Sequence, residues 1–416
     1  MTPPDVAYGV EALFRRDADR CVAVLARALG DLDRAEDAIA EAFAVALERW
    51  PEDGFPHNPA AWILTTARRR AIDALRRERR GAEKQALAAR LEASLPPSID
   101  ETRGDVSAIP DERLELIFAC CHPSLQMESR VALTLRSLAG LTTEEIAAAF
   151  LVPVATMAQR IVRSKRKIRE AVIPFDVPPL SQLPERLADV CTVLYLIFNQ
   201  GYFATAGPSL MRTDLCEEAI RLTRLLDALM PAEPEVLGLL SLMLFTHARR
   251  EVRIDGAGEL VTLEEQDRSR WDAAMAGEAS GVLTRAARHG TDGPFQLMAA
   301  IAAVHANAAT AAQTDWQAIV TLYDRLLELA PTPVVALNRA VAVGFAKGAQ
   351  DGLLALDAAA SDGRLDDYSP YYVARAELAR RAGDEAVAKA ALQRAVALTK
   401  NERERAFLQR RLNDRN

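Results

Sequence analysis

Residues 185–416 form a nearly continuous succession of amphipathic segments with short loops, and the same periodicity fills residues 6–80 and 111–172. Apolar side chains recur every three or four positions in these segments, which places them on one face of an α-helix. Composition agrees, because the helix formers Ala, Leu, Arg and Glu dominate whereas aromatic residues make up only 6%. Residues 253–263 differ, since Asp255-Gly256 favours a short hairpin there. The sequence therefore predicts an all-α protein.

Two helical patterns recur near the end of the chain. Residues 316–331 predict a helix that ends at proline, and residues 384–398 repeat it. Residues 335–348 predict a helix that ends at glycine, and residues 371–383 repeat that helix 35 positions later. Paired helices with a period of about 34 residues resemble tetratricopeptide repeats, which stack into a curved binding surface. The alternative is an irregular helical bundle.

Stretches that are rich in proline divide the chain into three helical domains. An acidic linker is predicted over residues 81–110, and a proline-rich hinge over residues 173–184. Proline interrupts a helix in both places, because it lacks the N–H that the helical hydrogen bond needs. The predicted domains are therefore residues 6–80, 111–172 and 185–416.

Charge is distributed unevenly along the chain. The net charge is −7, which argues against a protein that coats nucleic acid through bulk electrostatics. Residues 1–175 are nearly neutral at −1, yet residues 66–80 carry seven arginines and residues 160–170 carry six basic residues. The remaining residues, 176–416, have a net charge of −6. Two dense basic stretches in a nearly neutral region predict two separate anion-binding faces.

Several classes of protein are excluded by what the sequence lacks. Its five cysteines contain no Cys-x-x-Cys pair, so neither a disulfide framework nor a metal site is predicted. The adjacent residues Cys120 and Cys121 are expected to pack in a core. No apolar run approaches the roughly 18 residues that span a membrane. The start of the chain lacks the pattern of a signal peptide. No phosphate-binding loop or nucleophile–base pair occurs, so we expect a cytoplasmic protein without catalytic residues or cofactor.

Residues 142–169 predict two helices joined by a turn at Leu151-Val152-Pro153. On the second helix, Met157, Ile161 and Ile168 share a face that packs inward. Another face carries polar and basic side chains, namely Thr156, Gln159, Arg160, Arg163 and Lys167. This is the layout of a helix-turn-helix, whose second helix enters the major groove and reads base edges. A charged helical hairpin with a solvated face is the alternative.

Residues 30–50 predict a helix with an apolar face opposite a stripe of carboxylates. The stripe consists of Asp33, Asp37, Glu41 and Glu48. Acidic helix faces are commonly only solvated, so the stripe indicates little alone.

Residues 58–80 predict a helix whose broad face carries several arginines and Trp62, while Leu64, Ala71 and Leu75 pack behind. Arginine beside an exposed aromatic ring suits single-stranded DNA, because phosphates take the charge and unstacked bases stack on the ring.

Together and in this order, the three segments resemble the extracytoplasmic-function sigma factors of bacterial RNA polymerase, over about residues 8–172. The matching segments are GDLDRAEDAIAEAF, WILTTARRRAIDALRR and LTTEEIAAAFLVPVATMAQRIVRSKRKIR. Three motifs in the family's order are more specific than any one of them. The resemblance implies a protein that binds core RNA polymerase and promoter DNA, directs transcription initiation and catalyses nothing itself.

The family's residue roles carry over to the matching positions. The acidic helix is implied to bind the clamp helices of the polymerase β′ subunit through Asp33, Asp37 and Glu41. The basic helix is implied to melt and hold the −10 element through Trp62, Arg69, Asp73, Arg76 and Arg77. The helix-turn-helix is implied to touch the β flap and to bind the −35 element through Thr156, Gln159, Arg160, Arg163 and Lys167. The family commonly has Gln where Ala40 stands and Asn where Arg69 stands, which leaves the −10 preference open.

The long extension is more than a minimal member of this family has. Residues 195–204, 264–271 and 369–384 look like the extension of a subgroup with a tetratricopeptide-like tail, which is thought to replace a separate anti-sigma factor. We therefore expect the extension to regulate the sigma domains, either by intramolecular contact or through a partner. The alternative function is a helical-repeat scaffold whose helix-turn-helix acts as an ordinary DNA-binding repressor or activator.

Overall fold

The computed structural model describes residues 3–77, 89, 112–139, 141–150, 152–202, 211–256, 260–290, 292–399 and 401–413. These residues form α-helices with short 3-10 turns, and their one β pairing is an isolated antiparallel bridge between Ile254 and Leu260. The all-α prediction is confirmed, and the bridge flanks the predicted Asp255-Gly256 turn. The chain divides into two compact units, Met1–Val193 and Leu194–Asn416.

The first unit begins with three helices that pack on one another: α1 (Pro3–Leu29), α2 (Leu32–Asp53) and α3 (Pro59–Arg77). Helix α2 begins at Asp31, whose carboxylate accepts hydrogen bonds from the backbone N–H groups two and three residues later. Such a cap stabilises a helix by about 1 kcal/mol. The buried ring of Trp50 packs between Phe55 and Trp62, with ring centroids 4.6 and 5.2 Å away. Apart from residue 89, the predicted linker lies outside the described residues, and so does the end of the basic helix at Arg80.

Five further helices follow: α4 (Arg113–Cys120), α5 (Met127–Ser137), α6 (Thr143–Phe150), α7 (Val154–Glu170) and α8 (Leu183–Tyr202). Helices α6 and α7 have the predicted positions, although Leu151 of the predicted turn lies outside the described residues. Cys120 and Cys121 are buried in the core, as expected. Burial raises the pKa of Cys121 to about 12, so its thiol stays protonated.

The second unit continues with ten helices among the described residues. They are α9 (Thr213–Leu229), α10 (Pro234–His247), α11 (Ala273–Ala287), α12 (Pro294–Asn307), α13 (Trp316–Leu329), α14 (Pro333–Lys347), α15 (Ala349–Ala359), α16 (Ser369–Arg381), α17 (Glu385–Leu398) and α18 (Glu402–Asn413). The recurring pairs of the sequence are α13 with α14 and α16 with α17, and each pair packs together. Helices α14 and α15 approach at two glycines, since a Cβ on Gly352 would lie 2.6 Å from Cα of Gly344.

Along the chain, the boundary between the two compact units falls after Val193, which is within α8 and C-terminal to the predicted hinge at residues 173–184. Ile173 and Phe175 of that hinge are buried. The hinge and the other predicted domain limits stay predictions. Among the described residues, none of the helices combines the length and the apolar character that crossing a membrane requires.

Candidate nucleic-acid interface

Helix α7 is positioned by the helix that precedes it. Helix α6 begins with a reciprocal cap, in which the Glu145 carboxylate accepts from the N–H of Thr142 at 2.7 Å and the Thr142 hydroxyl accepts from the N–H of Glu145 at 3.2 Å. Pro153 then stands directly before α7, where its missing N–H removes no helical hydrogen bond. The buried side of α7 consists of Met157, Ile161, Ser164 and Ile168. The inward packing that the sequence predicts for this helix is confirmed.

The side chains predicted to bind the −35 element line one groove of about 440 Å³. Those on α7 are Thr156, Gln159, Arg160, Arg163 and Lys167. The opposite wall is the start of α5 and the residues before it, namely Leu125, Gln126, Glu128 and Ser129. Sequence reasoning missed this second wall, because periodicity within one helix does not reveal which helix lies beside it. The ammonium of Lys167 donates a hydrogen bond to the backbone oxygen of Ser124, which holds it at one end of the groove.

The side chains predicted to act at the −10 element lie along α3. Trp62 is half-buried, with its ring edge-on to Trp50. The remaining four are exposed: Arg69, Asp73, Arg76 and Arg77. The Nε of Arg77 donates to the backbone oxygen of Asp73 at 3.2 Å. Leu64, Ala71 and Leu75 are buried behind this face, as predicted.

The acidic stripe of α2 meets the basic end of α7 within the first unit. The Nζ of Lys165 lies 2.8 Å from Oε2 of Glu36 and 3.1 Å from Oδ1 of Asp33. Arg169, one turn further along, lies 3.5 Å from Oδ2 of Asp31 and 3.8 Å from Oδ2 of Asp33. Of the three residues predicted to bind polymerase, only Asp33 takes part in this contact.

The other two predicted residues of the stripe remain exposed. Glu41 lies 4.0 Å from Nε of Arg70, at the limit of an ion pair between two exposed side chains. The pKa of the Asp37 carboxyl is raised by partial burial and by the neighbouring negative charge of Asp33. The structure therefore leaves Asp37 and Glu41 accessible while Asp33 is engaged.

Lys165 is the most enclosed member of this contact, since its side chain is 10% exposed. Burial alone lowers the pKa of Lys165, but the carboxylates of Glu36 and Asp33 outweigh burial and raise it. The ammonium therefore stays charged. Glu36 is also held by the hydroxyl of Ser137, which donates to it at 2.9 Å. Removing the lysine charge would leave the mostly buried Glu36 without its cation.

The contact with α2 and the groove lie on opposite sides of α7. At about 100° per residue, Lys165 and Arg169 point roughly 160° away from the mean direction of the five groove residues. The groove therefore stays open while the acidic stripe is partly covered. Lys165 and Glu36 were not predicted as functional, because 129 residues separate them in the sequence.

Models of three protein families match the chain. Sigma-70 region 2 matches residues 13–81, and sigma-70 region 4 matches residues 115–168. A family of unknown function, DUF6596, matches residues 186–287. The two sigma-70 matches contain all the side chains predicted to contact polymerase or DNA.

Comparison with curated proteins finds similarity along nearly the whole chain and more distant similarity over the first part of it. An uncharacterized protein of Rhizobium meliloti (strain 1021) is 41% identical over 404 residues, which cover 94% of this chain and 92% of that protein. An ECF RNA polymerase sigma factor SigK of Mycobacterium sp. (strain KMS) is 28% identical over 154 residues, 36% of this chain and 76% of its own length. The SigK of Mycobacterium ulcerans (strain Agy99) is 27% identical over 157 residues, with 37% and 80% covered. No solved structure matches the chain.

Proposed function

We propose that this chain, a sigma factor that belongs to one family with the Rhizobium meliloti protein, directs core RNA polymerase to promoters through α2, α3 and α7 in distinct roles. The observation that carries this proposal is the groove on α7, because five side chains selected from the sequence alone line it together. Arg160 and Gln159 lie early enough on the helix to reach base edges of the −35 element. Lys167, two turns later, is assigned a phosphate.

The −10 element is assigned to the exposed face of α3. Its arginines supply the charge that holds displaced phosphates, and Trp62 supplies a ring edge at the start of the helix. Because Trp62 is anchored against Trp50, we assign it a supporting position beside the melted strand. The β′ clamp helices are assigned to Asp37 and Glu41, together with Asp33 once α7 leaves it.

We further propose that the Lys165 contact belongs to the polymerase-free protein. Binding of α2 to polymerase requires the acidic stripe to be uncovered, so Lys165 and Arg169 must first separate from Asp33 and Glu36. The cost is moderate, because Arg169 and Asp33 have side chains that are 51% and 42% exposed.

The extension is assigned a regulatory role as a tetratricopeptide-like tail. The pairing of α13 with α14 and of α16 with α17 supports this assignment, because such repeats offer a concave surface to a partner. The net charge of −6 over residues 176–416 suits competition with DNA for the basic faces of the sigma domains. The tail either restrains the sigma domains or is needed to assemble their active form.

The experiment that tests the proposed function is promoter-specific transcription by purified core polymerase with and without this protein. A sigma factor converts core enzyme into initiating enzyme. An ordinary repressor or activator with the same helix-turn-helix binds duplex DNA but leaves core enzyme unable to initiate, and that result would overturn the proposal. Arg163→Ala in the groove should reduce promoter-specific initiation. Arg288→Ala, at an exposed arginine of the second unit, is its matched control.

A further inference from the structure

The second unit contains a half-open cavity of about 260 Å³, lined mainly by α10, α12 and α13. Its volume is close to the lower end of the range for small-molecule sites, about 300–1,000 Å³. The apolar part of its wall is formed by Leu242, Phe245, Met298 and Ile301. Tyr195, Trp271 and Tyr323 add aromatic rings. Such a wall suits the compact apolar body of a small ligand.

Arg249 brings a positive charge to the wall of this cavity. Its Nη2 donates to the phenolic oxygen of Tyr202 at 2.7 Å, and its guanidinium carbon lies 5.6 Å from the centroid of the Trp271 ring. Among the residues that the structure describes, no carboxylate forms an ion pair with Arg249. A guanidinium held by a phenol and an aromatic face keeps several donors for an anion.

A second arginine strengthens the positive potential beside the cavity. Arg268 donates to the backbone oxygens of His305 and Ala308 at 2.7 and 2.9 Å and to the hydroxyl of Thr314 at 3.0 Å. All these acceptors are neutral, and the described part of the chain offers Arg268 no carboxylate either. Burial, followed by the charge of Arg249, lowers the pKa of Arg268. Within the described part of the chain, Arg249 and Arg268 therefore lie near each other and neither forms an ion pair with a carboxylate.

Two residues of the same wall carry unsatisfied polar atoms. Nδ1 of His305 and Nε1 of Trp271 are buried without a hydrogen-bond partner among the described residues. Burial and the positive charges of Arg249 and Arg268 lower the pKa of His305 to about 4, so the imidazole is neutral at pH 7. Buried polar atoms usually have partners, and a bound ligand is one way to supply them.

We propose that this cavity binds a small organic carboxylate with a compact apolar body. The carboxylate pairs with Arg249, while the apolar body lies among Leu242, Met298 and Ile301 and beside the ring of Trp271. An anion supplies Arg249 and Arg268 with the ion-pair partner that the described residues do not provide. The inference goes beyond the proposed role in transcription and does not depend on it, because binding is measured without polymerase or DNA.

The test uses the full-length protein and a panel of matched probes. Benzoate, phenylacetate and 4-methylpentanoate are compared with their primary amides and with inorganic phosphate, by calorimetry and by Trp fluorescence. We expect at least one carboxylate to bind saturably with one site per chain. Its amide should bind more weakly by about tenfold or more, because the charged hydrogen bond is lost. The fluorescence change should disappear in Trp271→Phe.

Two variants locate the site. Arg249→Met should weaken the carboxylate by about tenfold or more, whereas Arg288→Met, at an exposed arginine of the same unit, should leave it unchanged. Ala302→Phe fills the cavity without removing charge and should also abolish binding. Circular dichroism checks that each variant is folded. The proposal is overturned if no carboxylate binds at millimolar concentration, if the amides bind equally well, or if phosphate competes as strongly as the best carboxylate.

Discussion

Nζ of Lys165 lies 2.8 Å from Oε2 of Glu36, which joins the helix that carries the candidate −35 side chains to the helix that carries the acidic stripe. Both side chains are mostly buried, at 10% and 19% exposed. Asp33, at 3.1 Å, shares the same ammonium. One buried cation therefore joins two helices that are proposed to bind different partners. Helix α2 is proposed to bind polymerase, and α7 is proposed to bind promoter DNA. This contact is the one that must open if both partners are to bind at once.

The first prediction concerns removal of that cation. Lys165→Gln should destabilise the protein by about 1–3 kcal/mol, which is less than for a fully buried pair because Asp33 is half-exposed. The same change should raise the affinity for core polymerase about fivefold, since the binding-competent arrangement no longer competes with the contact. Urea unfolding and fluorescence-anisotropy titration measure the two effects.

Arg166→Gln is the matched control for the Lys165 variant. It removes one positive charge from the next position of α7, where the side chain is 57% exposed and pairs only with Glu170 in the described contacts. We expect little change in either measurement. An unchanged polymerase affinity for Lys165→Gln would show that the contact does not restrain α2.

The second prediction reverses the exposed part of the acidic stripe. Asp37→Arg combined with Glu41→Arg should abolish binding to core polymerase and leave helical circular dichroism unchanged, because both side chains are exposed and add little to the core. The control combines Glu217→Arg with Glu251→Arg, whose side chains in the second unit are 65% and 68% exposed. Equal polymerase affinity in the two double variants would remove the β′ assignment.

Periodicity predicted the helices of the candidate site well. The helix at residues 143–150, the start of the next helix at Val154 and its buried side all follow from the spacing of apolar residues and from Pro153. These features are local, because they depend on residues within one or two helical turns. The prediction that Cys120 and Cys121 pack in the core has the same origin.

Contacts between distant segments were not predicted. The pairing of Lys165 with Glu36 depends on how α7 lies against α2, and no pattern in either helix specifies its partner. The cavity beside Arg249 has the same property, because Trp271 and His305 come from different segments and form no motif.

The third prediction separates base reading from phosphate binding in the groove. Arg160→Ala should cost about 1–3 kcal/mol of promoter affinity and relax discrimination at one −35 position, if its guanidinium reads a base edge. Lys167→Ala should weaken all sequences alike and reduce the slope of log affinity against log salt by about one. Titrations with a family of single-base variants at several salt concentrations test both. Equal, sequence-blind losses would argue against base reading by Arg160.

The fourth prediction concerns pH. Burial and nearby arginines lower the pKa of His247 and of His305 from 6.5 to about 4. As pH falls through 6.5, these histidines bind protons in the unfolded chain but not in the folded chain. The free energy of unfolding therefore decreases from pH 7 towards pH 4. We expect a loss of roughly 2 kcal/mol per histidine between pH 7 and pH 5.

Urea unfolding of the full chain at both pH values measures this loss. In His247→Gln the difference between pH 7 and pH 5 should shrink by the contribution of one histidine. His57→Gln, at an exposed position of the first unit, should leave the difference unchanged. A pH dependence that is identical in the two variants would contradict the role of His247.

The last prediction tests regulation by the tail, and the contacts of α8 determine where the chain should be truncated. A truncation after Asp176, within the predicted hinge, would remove Asp189 and Arg186. The carboxylate of Asp189 lies 2.8 Å from the guanidinium of the buried Arg130, and Arg186 donates to the backbone oxygen of Phe118 at 2.6 Å. The loss of both contacts would destabilise the first unit and imitate a regulatory effect. Residues 1–202 keep α8 whole and preserve these contacts.

Full-length protein and residues 1–202 should therefore differ in promoter-specific transcription with purified core polymerase. If the acidic tail competes with DNA, the short form is more active at low salt, and the difference narrows as salt screens the competition. If the tail assembles the active form, the short form is less active at every salt concentration. Core binding by the short form, measured separately, distinguishes loss of regulation from loss of the fold. If a regulator lies within the same polypeptide, its removal must change the activity of the sigma domains. Equal transcription by the two proteins across the whole salt range would therefore contradict regulation by the tail and leave it as a docking surface for another partner.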